Sequence, residues 1–246
     1  MRLFYSLVIG LFLLTAHQAL ACPLDVYTSE NITCHVALDN LESQVWLGDY
    51  YFTGSKTDPN YPKAEEWYLK AAKNGNRRAQ IRLGFMYAEN HFPGVTHDLT
   101  KGEHWFLQAA KQNEADGLFR MGNFYHHYSK PPNYEKTVYW LEKAATKNYG
   151  AAQYDLARIY NSDKLGTPKL DKSWGYMEAA AKNDIRQAQM AMTKHYEDQG
   201  EFEKALHWAN KLANGAGKPR YWREKVIALQ NLRAPAKENK LLQGSQ

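Results

Sequence analysis

The sequence predicts an all-α fold, a right-handed solenoid of stacked helical hairpins. Three observations lead there. A pattern recurs about every 36 residues, the scale on which repeat architectures are built. Within each period, apolar and small residues fall at i, i+3, i+4 and i+7, the spacing of amphipathic helices. Between these stretches stand Pro59, Pro62, Pro93, Gly94, Pro131, Pro132, Gly166 and Pro168, residues that interrupt helices.

The repeat has two halves. In the first, a large apolar residue precedes a small one, and a tyrosine follows: Leu47-Gly48 with Tyr51, Leu83-Gly84 with Tyr87, Met121-Gly122 with Tyr125, Leu156-Ala157 with Tyr160, Met192-Thr193 with Tyr196. The tyrosines are 36, 38, 35 and 36 residues apart. In the second half a lysine precedes an aromatic residue and then a pair that is mostly alanine: Lys63, Trp67, Ala71-Ala72; Lys101, Trp105, Ala109-Ala110; Lys136, Trp140, Ala144-Ala145; Lys172, Tyr176, Ala180-Ala181; Lys204, Trp208, Leu212-Ala213. Each half is one helix. The small residue admits the second helix closely, and the tyrosine and tryptophan columns are expected to fill the core. Asn74-Gly75 and Asn183-Asp184 end second helices with turn-prone residues. A single hairpin cannot bury its own apolar face, so neighbours must stack.

Each segment can be justified in order. Residues 1–21 read as an export signal, with Arg2, an apolar run Leu3–Ala16 and the small-residue site Ala19-Leu20-Ala21, so cleavage is expected after Ala21. The run is shorter than the roughly 20 apolar residues of a membrane span. Acylation of Cys22 as a lipoprotein is the weaker reading, because Ala19 and Leu20 stand in the reverse of the usual order. Residues 22–42 form an N-terminal cap in which Cys22 and Cys34, the only cysteines, are expected to form a disulfide in an oxidising compartment. Five repeats occupy 43–217, at about 43–76, 77–114, 115–150, 151–184 and 185–217. Residues 218–246 complete the chain: an amphipathic helix Tyr221–Arg233 with Trp222, Val226, Ile227 and Leu229 covers the last apolar face, followed by a polar tail that frays after Ala234.

These columns resemble the Sel1-like repeat family, which is related to tetratricopeptide repeats. The second unit matches its pattern almost literally, through Ala79, Leu83-Gly84, Tyr87, Gly94-Val95 with Asp98, Lys101, Trp105-Phe106 and Ala109-Ala110. The resemblance spans about residues 43 to 213 and implies a protein-binding scaffold. Ala157 and Thr193 depart from it by replacing the glycine, and the fifth unit has a short loop, Asp198 to Glu203.

Composition narrows function mostly by exclusion. The whole chain carries +5 with both signs interspersed, which does not indicate nucleic acid. Adjacent His126 and His127 point about 100° apart on a helix and cannot clasp one metal. His91, His97 and His104 lie near Asp98 without an i, i+4 ligand pair. There is no glycine-flanked serine elbow, and Gly215-Ala216-Gly217-Lys218 fails as a phosphate loop because Pro219 follows where Ser or Thr is needed. No metal, cofactor or enzymatic activity is expected. Asn31-Ile32-Thr33 matches a glycan acceptor and matters only in a host that modifies such sites.

What remains is a docking surface. First helices should line the concave side, where the columns beside the small residue vary in chemistry: Trp46, Arg82, Arg120, Asp155, Ala191 and Asp49, Phe85, Asn123, Arg158, Lys194. Arg78, Arg82, Phe85, Arg120, Asn123, Tyr154 and Arg158 are expected to form a partner-binding groove, because guanidinium forks grip carboxylates and aromatics bury area at low entropic cost. The expected partner is another protein offering an acidic or carboxylate-bearing segment. The functional reading is a periplasmic or secreted adaptor. The alternatives are an immunity protein covering a toxin, or a peptidoglycan-associated binder regulating a cell-wall enzyme.

Overall fold

The structure, a computed structural model, describes residues 29–54, 58–215 and 219–243. Among these the regular structure is entirely helical: α1 (Ser29–Leu38), α2 (Leu41–Thr53), α3 (Tyr61–Lys73), α4 (Arg77–Ala88), α5 (Leu99–Lys111), α6 (Ala115–His127), α7 (Tyr134–Thr146), α8 (Gly150–Tyr160), α9 (Leu170–Lys182), α10 (Arg186–Asp198), α11 (Phe202–Asn214) and α12 (Pro219–Gln243). The chain divides into two compact units, Met1–Asn113 and Glu114–Gln246. In the first, α1 lies on α2, and the hairpins α2–α3 and α4–α5 stack through α3 and α4. In the second, the hairpins α6–α7, α8–α9 and α10–α11 stack in order and α12 packs on α11. The expected all-α class and hairpin stacking are observed. The expected signal segment and Cys22 lie outside the described residues, so the Cys22–Cys34 pairing does too.

The same clamp closes every hairpin. The carbonyl of the column tyrosine accepts the N–H of the residue that caps the following helix: Asn60 to Tyr51 at 2.8 Å, Asp98 to Tyr87 at 2.8 Å, Asn133 to Tyr125 at 3.0 Å, Lys169 to Tyr160 at 2.8 Å, Glu201 to Tyr196 at 2.8 Å. Asn60, Asp98 and Asn133 also accept, through their side chains, the N–H three residues on, which satisfies one of the open donors of the first turn. That third residue is the column lysine, whose ammonium lies 4.6 to 5.3 Å from the column tyrosine's ring centroid in all five repeats.

The second helices of the first four repeats end alike, and α11 differs, with Gly215 in extended backbone. Gly75, Asn113, Asn148 and Asp184 take a left-handed φ of +57° to +84°, the conformation glycine and asparagine reach at least strain. Around this turn the N–H groups of Gly75 and Asn76 return to Ala72 and Ala71, and those of Asp184 and Ile185 to Ala181 and Ala180. The alanine pairs therefore serve both close packing and helix termination.

The small column behaves as expected, and its counterpart is one residue later than expected. A methyl group on Gly84 would sit 2.7 Å from the Phe106 ring, one on Gly48 closer still to Tyr68, and one on Gly122 2.9 Å from Leu141. Tyr68, Phe106 and Leu141 are fully buried. Trp67, Trp105 and Trp140, predicted to be core, are only half-buried. With 3.6 residues per turn the inward position falls on the residue after the tryptophan, whose own ring lies along the edge; Lys70 covers Trp67 at 3.9 Å. Trp208 in the last repeat is buried as predicted.

The ends bring two further corrections. The C-terminal helix does not stop near Arg233 but continues to Gln243, because the segment past Pro235 is rich in Ala, Lys, Glu, Leu and Gln, all strong helix formers. On it Trp222 and Leu229 are buried against α11 as a cap, whereas Ile227 is 58% exposed. At the other end Trp46, predicted to face the open side, is 5% exposed, because α1 covers it. The His35 ring stacks on it at 4.1 Å, and His35 Nδ1 lies 2.9 Å from Ser43 Oγ.

Candidate partner-binding face

The predicted site residues fall on α4 in the first unit and on α6 and α8 in the second, and each group is described within its own unit. In the first, Gly48 draws α3 against α2, which buries the Tyr68 ring beneath α2 and aims its hydroxyl at Asp49. That hydroxyl donates to Asp49 Oδ1 at 2.7 Å. Asn76 caps α4 by accepting from the Ala79 N–H, and the first two turns of α4 then carry Arg78 and Arg82 on one side, four residues apart. Both reach back to α2: Arg78 Nη2 lies 2.6 Å from Asp49 Oδ2, and Arg82 Nε 3.5 Å from Asp49 Oδ1.

Asp49 was expected on the open face and is instead 7% exposed. A carboxylate can be held there because three donors surround it, which offsets the cost of taking it from water. Its negative charge in turn acts on the phenol. Burial, then Asp49's charge, then the hydrogen bond push Tyr68 well above the ordinary phenolic range, with the two arginines opposing. The guanidinium of Arg82 also lies 5.4 Å from the Phe52 ring centroid, so the side chain is held from two sides. Phe85, half-buried, meets Phe106 edge-on at 5.0 Å. Beside Asp49 and Arg78 is a cavity of about 410 Å³ with Val45 and Trp46 on its apolar side and Glu42 and Asn76 on its polar side.

In the second unit Arg120 pairs with Asp116 one turn earlier on α6, Nε to Oδ1 at 3.1 Å. The Tyr149 hydroxyl approaches the same oxygen at 3.5 Å. Asn123, directly after the tight Gly122, has its side-chain oxygen buried with no hydrogen-bond partner. Tyr154 on α8 is half-buried with the exposed Arg158 guanidinium 5.9 Å from its ring centroid. Among the described residues Arg158 has no carboxylate within ion-pair distance, unlike Arg78, Arg82 and Arg120.

The prediction thus brings Arg78 with Arg82 and Tyr154 with Arg158, while Arg120 is tied within its own helix. Sequence reasoning missed the acceptor that organises α4. A signal existed: Asp49 is the lone acid in the run Val45 to Phe52, and the register that aligns Gly48 with Gly84 sets it beside the arginine column. It also missed His126 and Lys164, discussed below. His91 meets Phe92 at 4.2 Å, His97 faces the Ala88 carbonyl at 3.2 Å, and His104 lies edge-on to Trp105 at 5.2 Å. Among the described residues no three His, Cys, Asp or Glu side chains gather as metal ligands.

Known proteins bear on these features through sequence and fold. The Sel1 repeat family model matches residues 41–76, 77–114, 115–149, 150–185 and 198–216. A Sel1 repeat protein from Oxalobacter formigenes shares 27% identity over 74% of this chain and 76% of that one, with a TM-score of 0.62. A Sel1 repeat protein from Klebsiella pneumoniae subsp. pneumoniae shares 21% over 85% and 99%, with a TM-score of 0.48. An immunity protein from Pseudomonas aeruginosa shares 16% over 87% and 80%, with a TM-score of 0.45. No curated protein matches the chain.

Proposed function

Because this chain belongs to the Sel1 repeat family, a scaffold suited to protein–protein interaction, we propose that it is an exported, non-catalytic adaptor that docks an acidic or carboxylate-bearing segment of a partner protein on its first-helix surfaces. The observation that carries this reading is the convergence of Arg78 and Arg82 on the single carboxylate of Asp49. Two fixed cations against one anion leave a net positive charge. Arg78, its side chain 64% exposed, keeps guanidinium donors turned to solvent. Asp49 holds the pair in place before any partner arrives, which lowers the ordering cost of binding. Leu41, which is 40% exposed and lines the adjacent cavity, supplies apolar area next to the charge, a combination found at interface hot spots. Export is supported by the character of residues 1–21 and by the two cysteines, Cys22 and Cys34, placed close together.

The test is affinity capture from the host's envelope extract with the mature chain, repeated with Arg82, Arg120 and Arg158 changed to Glu, each protein first checked for helical content. Loss of the captured partner from the variant supports the reading, and undiminished capture overturns the assignment of the face. A captured toxin would convert the adaptor into an immunity protein. Amino-terminal sequencing of the cellular protein tests export: a start at Cys22 is expected, and an intact Met1 start in the cytoplasm overturns it.

A further inference from the structure

Arg158 has a different setting from the other arginines of the site. On one side it stands by Tyr154. On the other it borders a hollow of about 160 Å³ lined by His126, Tyr134, Asp155, Ser162 and Lys164, drawn from α6, the start of α7, α8 and the loop after α8. Neither Arg158 nor Lys164 makes an ion pair among the described residues. Tyr134 is the group that His126 and Lys164 share. The His126 ring is 5.5 Å from Tyr134, and Lys164 Nζ is 5.9 Å from that same ring. His127 stacks on His126 at 4.4 Å.

We propose that this hollow binds a phosphate group, as inorganic phosphate or as a phosphate monoester. Two permanent cations, one imidazole and one phenolic hydroxyl, carried on three helices and a loop, line the same hollow and offer charge-assisted donors that suit the several oxygens of a phosphate. Ser162 adds no donor, because its hydroxyl is spent on the Ile159 carbonyl at 2.7 Å. The one acidic group, Asp155, sets a condition. Burial raises its pKa above the ordinary carboxylate range, with Arg158 and His127 opposing. His126 is held below the usual imidazole range by burial, then by His127 and Arg158. Empty of anion, the site thus disfavours the protonated imidazole, through burial first and then its cationic neighbours. A dianion reverses that balance and draws a proton onto His126, so binding takes up protons. The groups facing His126 in this exchange are His127 on its own helix, Tyr134 on α7, Asp155 and Arg158 on α8, and Lys164 on the following loop.

This inference does not rest on partner docking and can fail or stand without it. The full chain at low ionic strength is titrated calorimetrically with inorganic phosphate and separately with O-phosphoserine, while the His126 ring proton is followed by NMR from pH 5 to 8. Saturable binding is expected, together with a rise in the His126 midpoint on adding phosphate. Arg158→Gln and Lys164→Gln should each weaken binding about tenfold, the loss of one charge-assisted hydrogen bond. The exposed control Lys182→Gln should bind like the parent. Tighter binding of phosphoserine assigns the ester as the ligand, and equal or weaker binding assigns free phosphate. Absence of saturable binding, or affinity unchanged in both Arg158→Gln and Lys164→Gln, or a His126 midpoint indifferent to phosphate, overturns the site.

Discussion

The Tyr68 hydroxyl donates to Asp49 Oδ1 at 2.7 Å, so a fully buried ring on α3 anchors the one carboxylate that orders the arginines of α4. Removing the hydroxyl in Tyr68→Phe should cost about 1–2 kcal/mol. Asp49→Ala should cost more, about 3 kcal/mol, since it strands the phenol in the core and leaves the partly buried Arg82 uncompensated. Urea denaturation of the two variants gives the order, and a smaller loss for Asp49→Ala would mean that the carboxylate is not the organising group.

Glycines of the same helical type should answer an added methyl in opposite directions. Gly84→Ala drives its Cβ to 2.7 Å from Phe106 and should destabilise by about 1–3 kcal/mol, outweighing the gain in helix propensity. Gly175 in α9 has nothing within 4 Å of that position, so Gly175→Ala should stabilise by about 0.5–1 kcal/mol. Thermal melts of both variants check the contrast.

Alkaline pH should weaken the fold from a defined point. Tyr68, Tyr87 and Tyr160 have phenols raised above their ordinary value, each by burial first and then by a carboxylate partner: Asp49, Glu65 and Glu142. A raised folded pKa means that the stabilisation is complete below the unfolded value of about 10 and is lost as pH climbs beyond it. The urea midpoint should therefore hold up to about pH 10 and fall as pH rises above it. Phe at all three positions should flatten the fall, and an equally steep decline in that variant would remove these phenols as the cause.

The C-terminal cap should matter energetically. Trp222 packs with Leu229 on Ala205, Leu206 and Leu212 of α11. Trp222→Ala should cost about 3–5 kcal/mol. Unchanged stability by calorimetry would show that α12 is an appendage.

Much of the architecture was legible because a repeat confronts the reader with the same constraint five times. The Leu-Gly, tyrosine, lysine and alanine columns each map onto a recurring contact, and Asn74-Gly75 and Asn183-Asp184 lie at helix ends as expected. What misled was position within a turn: the conspicuous tryptophans 67, 105 and 140 drew the core assignment away from Tyr68, Phe106 and Leu141 beside them. The candidate face was half legible. Its arginines were identifiable by column, and the i, i+4 pairing of Arg120 with Asp116 is readable within one helix, but the state of Arg78 and Arg82 depends on Asp49 of another helix, which periodicity within one helix does not display. The hollow beside Arg158 gathers residues of three helices and closes with Ser162 and Lys164 of a loop, and that gathering depends on packing that no single column displays.

The carbonyl of each column tyrosine fixes where the next helix begins, whether three residues intervene, as after α10, or ten, as after α4. Loop length is thereby uncoupled from hairpin geometry, and the exposed stretch 166–168, where nothing lies within 4 Å of a methyl placed on Gly166, becomes a place where foreign sequence can be grafted. An epitope inserted there should be displayed on a chain that still folds.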